Sequence, residues 1–531
     1  MIKILNELKL LRKNDIRIIQ RALSYQSATV TKLNPDNDTS LNDIDYEKAL
    51  PYEDIPGPKG IDRNFLPGGK LYGKPFIELH RYFYEKYGKI VRIPGFLRRP
   101  DFVLVYDPDC FAKVLRTEGP WPVRIGLDTL TYYRKNKRPD LYKKHAGLLV
   151  DHYEPWQKFR MTVNPVMMQP KVVSLYVPRI DKVTRDFIDV TKRSRDDFNE
   201  TPSDYGNYVQ RWALESIGEI ALDTRFGVLE KREGNKGDIL AKLVEDFFYY
   251  SYKLDTQPHI WRYVKTPGFY RMMKLLDNMT DVTLEYVDEA IKRIQEQKSI
   301  RAVEQQGVLE KLLKVDKETA VIMAMDMLIV GIDTTTSQTK SLLYLLAKHP
   351  EKQAKLRDEL MKILPSKDSP LTADKMKNLP YLRACMKESN RVIPVVVGTS
   401  REAGQDLVLQ GYQIPKGTNV ALASQLLMQD DKYFGRSAEF IPERWLKDES
   451  QAKAEGCPHA KETHPFVYIP FGFGVRTCIG RRFAELETAI LIARFVREFN
   501  ISWHHPDLKI KSTIVDTLVG DMKFRLTDLE N

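Results

Sequence analysis

Apolar and polar positions divide the chain into stretches of different period. Residues 25–54 are polar, rich in Asn, Asp, Ser and Thr, with no periodic apolar face, so they are expected to form a solvated linker. Ile55-Pro-Gly-Pro58 then fixes an extended turn, because proline restricts φ, removes a donor and disfavours helix in the residue before it. Beyond this hinge the spacing predicts a helix over residues 70–87 and a pair of short strands at Ile90–Ile93 and residues 102–106. Long amphipathic helices with few turn signals fill residues 156–347, and two more are expected over 350–364 and 378–392. Strand patterns return at Leu407–Leu409, at 411–414 and on both sides of Val519-Gly520. The fold class is therefore mainly α with small β-sheets at its edge. No repeat or Gly/Ser linker divides residues 55–531, which read as one large catalytic domain.

The first 24 residues follow another pattern. Lys3, Lys9, Arg12, Lys13, Arg17 and Arg21 accompany Leu5, Leu8, Ile16 and Ile19 near one helical face, and Arg21-Ala-Leu-Ser24 resembles a processing site. Residues 1–24 thus read as a mitochondrial presequence, although Glu7 and Asp15 are unusual in one. No window approaches the roughly 18 consecutive apolar residues of a membrane span. The best candidate, residues 321–332, is short and contains Asp326, so any membrane association is expected to be peripheral.

Composition narrows the function. With 531 residues and 42% apolar, the chain has material for a large core. Its formal charge of +11 is not arranged as a basic stripe interleaved with aromatics, nor with zinc-finger or helix-turn-helix spacing, so nucleic acid is not the expected partner. A face for an acidic protein fits the charge. Cys110, Cys385, Cys457 and Cys478 form neither a CxxC pair nor a disulfide framework, which points to a reducing compartment and away from zinc.

One cysteine stands in a chemically specific setting: Phe471-Gly-Phe-Gly474-Val-Arg476-Thr-Cys478-Ile-Gly480, followed by a helix from Arg481. Gly474 and Gly480 permit close approach to a flat macrocycle, and Phe471 can pack beside the sulfur and exclude water. Arg476 can neutralise a haem propionate. Amides at the start of the helix favour the thiolate of Cys478, and an anionic sulfur axial to iron promotes cleavage of the oxygen–oxygen bond. A buried cysteine in a glycine-rich turn is the ordinary alternative. Average residue frequencies put this set of offsets at on the order of one in ten thousand chains of this length, so the ordinary alternative loses.

These residues resemble the haem-binding signature of the cytochrome P450 superfamily, and the resemblance extends from about Ile55 to the C-terminus. It implies haem b with Cys478 as the axial thiolate ligand of the iron. Glu388-Ser-Asn-Arg391 is similar to the family's ExxR helix, and Phe440-Ile-Pro-Glu-Arg444-Trp to the segment whose arginine joins it, so Glu388, Arg391 and Arg444 are expected to form a structural ion network. Trp156-Gln-Lys-Phe-Arg160 resembles the WxxxR helix, which with Arg401 is implied to bind the propionates.

Val330-Gly331-Ile332-Asp333-Thr334-Thr335 is similar to the family's helix segment over the haem. In it Gly331 is expected to leave space for dioxygen, Thr334 to donate to or hold a water against the distal oxygen, and Asp333 to admit protons. A threonine that only bonds back to its own helix and an aspartate in a buried salt bridge are the structural alternatives. Cys-Ile-Gly480-Arg481-Arg482 with Ala484-Glu-Leu-Glu487 resembles the mitochondrial branch, which implies electrons from an acidic ferredoxin docked on Arg383, Lys387 and Arg482. Glu118-Gly-Pro-Trp-Pro-Val-Arg124 and Val163-Asn-Pro-Val-Met-Met-Gln-Pro-Lys171 are similar to arthropod members. The resemblance places pocket walls at residues 121–149, 247–252, 323–334, 395–399 and 515–519. The expected function is a monooxygenase acting on a lipophilic small molecule, steroid-like or xenobiotic, peripherally bound at the matrix side of the inner mitochondrial membrane. A haem-thiolate isomerase or dehydratase acting on peroxides without a redox partner is the rival enzyme class, and a haem sensor the non-enzymatic one.

Overall fold

The computed structural model describes residues 42–530 apart from 61–63, 65–67, 96–99, 231–234, 257–259 and 297–305. The expected presequence therefore lies outside the described residues. Residues 42–54 belong to the expected solvated linker, yet this part packs on the body. Asn42 is buried, its side-chain carbonyl accepts from the amide of Gln410 (2.8 Å), and Leu50 bridges Tyr412. Polar side chains and exposed backbone groups can be satisfied by a neighbouring strand end, a partner that composition does not reveal.

Helix α1 (Phe76–Tyr87) precedes strands β1 (Ile90–Ile93) and β2 (Phe102–Val105). It starts after Pro75, which stands at its N-cap, rather than at residue 70. Helices α2 (Pro108–Arg116), α3 (Asp128–Tyr132), α4 (Tyr153–Met167), α5 (Pro170–Ser174) and α6 (Val177–Ser194) lead into α7 (Tyr205–Leu222), α8 (Lys236–Asp255) and α9 (Pro267–Glu296). Then come α10 (Val308–Leu313), the central α11 (Lys317–Lys348), α12 (Pro350–Met361), α13 (Ala373–Lys377) and α14 (Pro380–Val392). Strands β3 (Thr399–Glu402), β4 (Leu407–Leu409), β5 (Tyr412–Ile414) and β6 (Asn419–Leu422) follow, then helices α15 (Ser424–Met428), α16 (Glu449–Ala454) and α17 (Arg481–Glu498). The chain ends on β7 (Phe499–Ser502), β8 (Lys509–Ser512), β9 (Asp516–Val519) and β10 (Arg525–Asp528).

The largest sheet runs β1-β2-β6-β3, with β2 and β6 parallel and the outer pairs antiparallel. Its parallel pair joins residues over 300 positions apart, Phe102 opposite Asn419, a partnership that local pattern cannot indicate. The two C-terminal strands flanking Val519-Gly520 do not pair with each other: β9 pairs with β8 and β10 with β7.

Helix α11 is the axis of the body. By length and apolarity it could cross a membrane, but most of it is buried in the protein. Asp326, in its middle, forms a buried ion pair with Arg134 (2.6 Å) and accepts from the amide of Leu148 (2.9 Å), which ties the segment after α3 to the helix. The other end of α3 is held by Asp255, at the last turn of α8, whose carboxylate accepts from Thr129 N (3.0 Å) and Thr129 Oγ1 (2.8 Å).

Candidate functional site

The cysteine loop is built by backbone geometry. The amide of Cys478 donates to the carbonyl of Phe471 (2.9 Å), and Thr477 Oγ1 donates to the same carbonyl (3.2 Å). Gly474 has φ of 71°, and a Cβ there would stand 2.6 Å from Glu118 Oε1, so both backbone and space demand glycine. A Cβ at Gly480 would lie 4.0 Å from the sulfur, in ordinary contact. Phe471 carries the guanidinium of Arg481 over its ring at 5.2 Å.

Cys110, Cys385 and Cys457 are buried, whereas the Cys478 side chain is open on one side. It nevertheless lies deep enough that burial pushes its thiol up, opposed by the amides of Gly480 and Arg481 and by the Arg160 and Arg124 guanidiniums. Among the described residues no group of three or more His, Cys, Asp or Glu side chains could hold a metal ion. A metal taken by Cys478 needs its other ligands from a non-protein group, as in a macrocycle.

The electrostatics around the sulfur fit an anionic group. Helix α4 presents Trp156 and Arg160 one turn apart. Arg160 Nη2 donates to Thr477 O (2.8 Å), while its Nε is buried without a partner. Arg476 lies over the Trp156 ring at 3.9 Å and donates to the carbonyls of Pro122 (2.9 Å) and Asp151 (3.1 Å). Arg401 is ion-paired with Glu118 and donates to Thr399 Oγ1 (2.9 Å).

Burial and mutual repulsion with Arg124, Arg401 and Arg160 push Arg476 down to about 9, and burial takes Arg160 down to about 10. Arg124, which the sequence reading noted only as part of a family-like stretch, is also lowered, by burial first and then by Arg401. Among the described residues Arg124, Arg160 and Arg476 have no carboxylate in ion-pair contact. Three cations without an ion-pair partner, Arg160 and Arg124 among them acting on the thiol, together with an orphaned N–H suit a dianionic cofactor with a metal at its centre. Arg124 could have been found only as one more basic residue near Trp121-Pro122; its convergence on the others is a tertiary fact.

Helix α11 opens where chemistry was expected. In the buried run from Thr319 to Ala347, Val330, Gly331, Asp333, Thr334 and Lys340 are the partly exposed positions. Thr334 Oγ1 donates to Val330 O at 2.6 Å, so its proton is engaged by its own helix while its lone pairs remain open to accept from a water. Asp333 Oδ1 accepts from Gln210 Nε2 of α7 (2.8 Å), and burial holds its carboxyl above the usual range. Among the described residues it has no salt bridge. A Cβ at Gly331 would come within 2.9 Å of Ile217 Cγ1 and Cδ1, so the glycine lets α7 pack close to the helix.

All five expected wall segments meet at one apolar cluster: Leu130, Phe247, Met327 and Val515 belong to it, and Val395 packs against it with Ile479 and Val330. The neighbour of the cysteine and the turn before Thr334 thus face the same apolar body.

Glu388, Arg391 and Arg444 are brought together, all fully buried. Arg391 grips both oxygens of Glu388 (2.9 and 2.8 Å), Arg444 Nε adds 3.0 Å, and Trp445 Nε1 donates to Oε2 at 2.7 Å, a partner the sequence did not reveal. Arg383 and Lys387 stand exposed one turn apart on α14, with Arg482 exposed on the first turn of α17. Arg383 also donates to the carbonyls of Met376 (3.3 Å) and Lys377 (2.6 Å), capping α13, whereas Lys387 lies over the Trp445 ring at 5.6 Å.

A family model described as "Cytochrome P450" matches residues 63–520. "Cytochrome P450 CYP12A2" of Musca domestica is 43% identical over 92% of this chain and 93% of its own length. "Probable cytochrome P450 12b2, mitochondrial" of Drosophila melanogaster is 43% identical over 91% of each chain. Among solved structures, a cytochrome P450DA heme domain superposes with a TM-score of 0.70 at 22% identity, covering 90% of this chain and 98% of its own.

Proposed function

Because the chain belongs to the cytochrome P450 family and is a haem-thiolate monooxygenase, we propose that it oxidises a lipophilic small molecule, steroid-like or xenobiotic, with electrons from a ferredoxin. The observation that carries the site assignment is the convergence of Arg124, Arg160, Arg401 and Arg476 on the loop of Cys478. Cys478 would hold the iron and Trp156 with the four arginines the propionates. The bound haem supplies the activation of dioxygen.

The chain's own residues do the rest. The apolar cluster holds a lipophilic compound and excludes water. Thr334, its hydroxyl proton tied to Val330 O, holds a water by accepting rather than by donating. Asp333, held by Gln210, takes a proton on its carboxylate and passes it toward that water by rotating about its side-chain bonds. Glu388, Arg391 and Arg444 fix the elements behind the cysteine loop and touch no substrate.

The relatives named mitochondrial and the basic, amphipathic first 24 residues support residence in the mitochondrion, with the folded body on the matrix side of the inner membrane. Exposed Lys387 and Arg482 support a negatively charged donor.

Two measurements test this reading. The ferrous carbonyl complex is expected to show the far-red-shifted Soret band of thiolate ligation, absent in Cys478→Ala; a normal band in that variant overturns the ligand assignment. Purified protein with reduced ferredoxin is expected to oxidise lipophilic compounds. If it instead consumes only fatty-acid hydroperoxides, with no donor present, the isomerase class replaces this reading.

A further inference from the structure

Behind Asp333, on the side of α11 that faces α7 and α8, stands a charged group the mechanism above does not use. Lys340 follows Asp333 by seven residues, about 20° short of two full turns, so both lie on one face of the helix. Side chains in a helix lean toward its N-terminus, so Lys340 leans toward Asp333. Its ammonium occupies a notch in α7: a Cβ on Gly206 would come within 2.9 Å of both Cε and Nζ of Lys340. Gly206, the second residue of α7, has no positive φ to explain it, so the space for the ammonium is the visible reason for the residue.

Among the described residues no carboxylate lies in ion-pair contact with this ammonium. A positive charge beside the first turn of α7 also opposes that helix's dipole, so neither a charge pair nor the helix end accounts for its place. Among the described residues the charged groups that act on Lys340 are Asp333 on its own helix, Glu245 of α8 and Lys511 of β8, and none comes from α7. Glu245 and Lys511 pair at 3.8 Å and are each about half exposed, at 49% and 46%, so they form the solvent end of the series.

We propose that Lys340 feeds protons from solvent at the Glu245–Lys511 pair to Asp333, making this gap between α7, α8, α11 and β8 the inward proton route of the enzyme. The proposal rests on the reading of Asp333 as the proton entry. In each cycle an N–H bond of the Lys340 ammonium breaks and an O–H bond forms on the Asp333 carboxylate, through an intervening water. The neutral amine then regains its proton from the solvent side. No electrons move along this path. Lys340 acts through Asp333 and touches no substrate, so it is a positioning residue. Burial lowers the pKa of Lys340 and raises that of Asp333, which brings donor and acceptor closer in proton affinity, while the attraction between the two charges works against both shifts.

Isotope-edited infrared titration of the Asp333 carboxyl in the holoenzyme, with Asp333→Asn as the blank, tests the coupling without turnover. Lys340→Met is expected to move the midpoint upward, Lys340→Arg to restore it, and Gly206→Ala, which displaces the ammonium without removing its charge, to move it upward by less. In parallel, dioxygen reduction driven from an electrode is expected to release more hydrogen peroxide in Lys340→Met. It should also show about a tenfold loss of water-forming turnover that worsens as pH rises, and a larger solvent deuterium effect. An unchanged midpoint and unchanged pH profile in Lys340→Met, with Asp333→Asn impaired, overturn the route and leave the role of Asp333 standing. Full activity in Asp333→Asn overturns both.

Discussion

At the scale of single residues, the site is a cluster of charges that the protein alone does not neutralise. Arg124 is the most telling member. Removing it relieves repulsion in the free protein but takes a charged donor from the cofactor, so the two readouts should move in opposite directions. Arg124→Leu is expected to raise the melting temperature of the haem-free protein slightly. It should weaken haem retention by about 1.5–3 kcal/mol, the worth of a hydrogen bond to a charged group, measured as faster transfer to a haem acceptor. Loss of stability in the haem-free variant would refute the repulsion argument. Cys478 stands out in the sequence by the spacing of its loop. Glu388, Trp156 and Asp333 stand out only by the resemblance of their segments to family motifs, since a Glu and an Arg three apart or a lone Trp specify no chemistry by themselves. Arg124 and Trp445 stand out in neither way, since each owes its meaning to a partner far away in the chain, and the spacing of Lys340 from Asp333 gains meaning only from the distant Gly206 and Glu245. At Gly331 only packing reveals that a side chain would meet Ile217.

At the scale of elements, α14 does two jobs on opposite sides. Its buried face holds Glu388 and Arg391, and its exposed face carries Arg383 and Lys387. Because Arg383 also caps α13 through Met376 O and Lys377 O, its reversal mixes lost docking with a lost cap. Lys387→Glu is the cleaner probe. It is expected to weaken ferredoxin binding about tenfold at low ionic strength, with the loss shrinking as salt rises and the Soret spectrum unchanged; titration calorimetry at two salt concentrations checks it. The long helices were legible because their apolar faces repeat locally, and β4 and β5 because they pair across a short turn. The start of α1 and the docking of residues 42–54 were not, since a proline cap and a distant strand end decided them.

At the scale of the whole molecule, buried ionisable groups set how stability follows pH. Burial pushes Asp255 up to about 7, so between roughly pH 4 and 7 the folded protein binds a proton that the unfolded chain has lost. Its contribution is present below pH 4 and is lost as pH rises through 7. His80, which burial pushes down to about 4, works in the opposite sense: its penalty is removed as pH rises from 4 to 6.5. Asp255→Asn keeps one acceptor and one donor for Thr129 but cannot ionise. Its melting temperature relative to the native protein is therefore expected to climb steadily from pH 5 to pH 8, by an amount corresponding to a few kcal/mol at most. A pH-independent difference would mean that Asp255 does not titrate in this range.

Arg476 joins two regions that the chain keeps far apart. Its guanidinium fastens the carbonyls of Pro122 and Asp151, which bound the stretch after β2 expected to wall the pocket, to the loop that ends in Cys478. A compound pressing on that wall and a ligand exchanging at the sulfur therefore strain one shared set of hydrogen bonds. Thermodynamic reciprocity then makes each a reporter of the other: whatever factor the compound imposes on exchange at the sulfur, exchange must impose on the affinity for the compound.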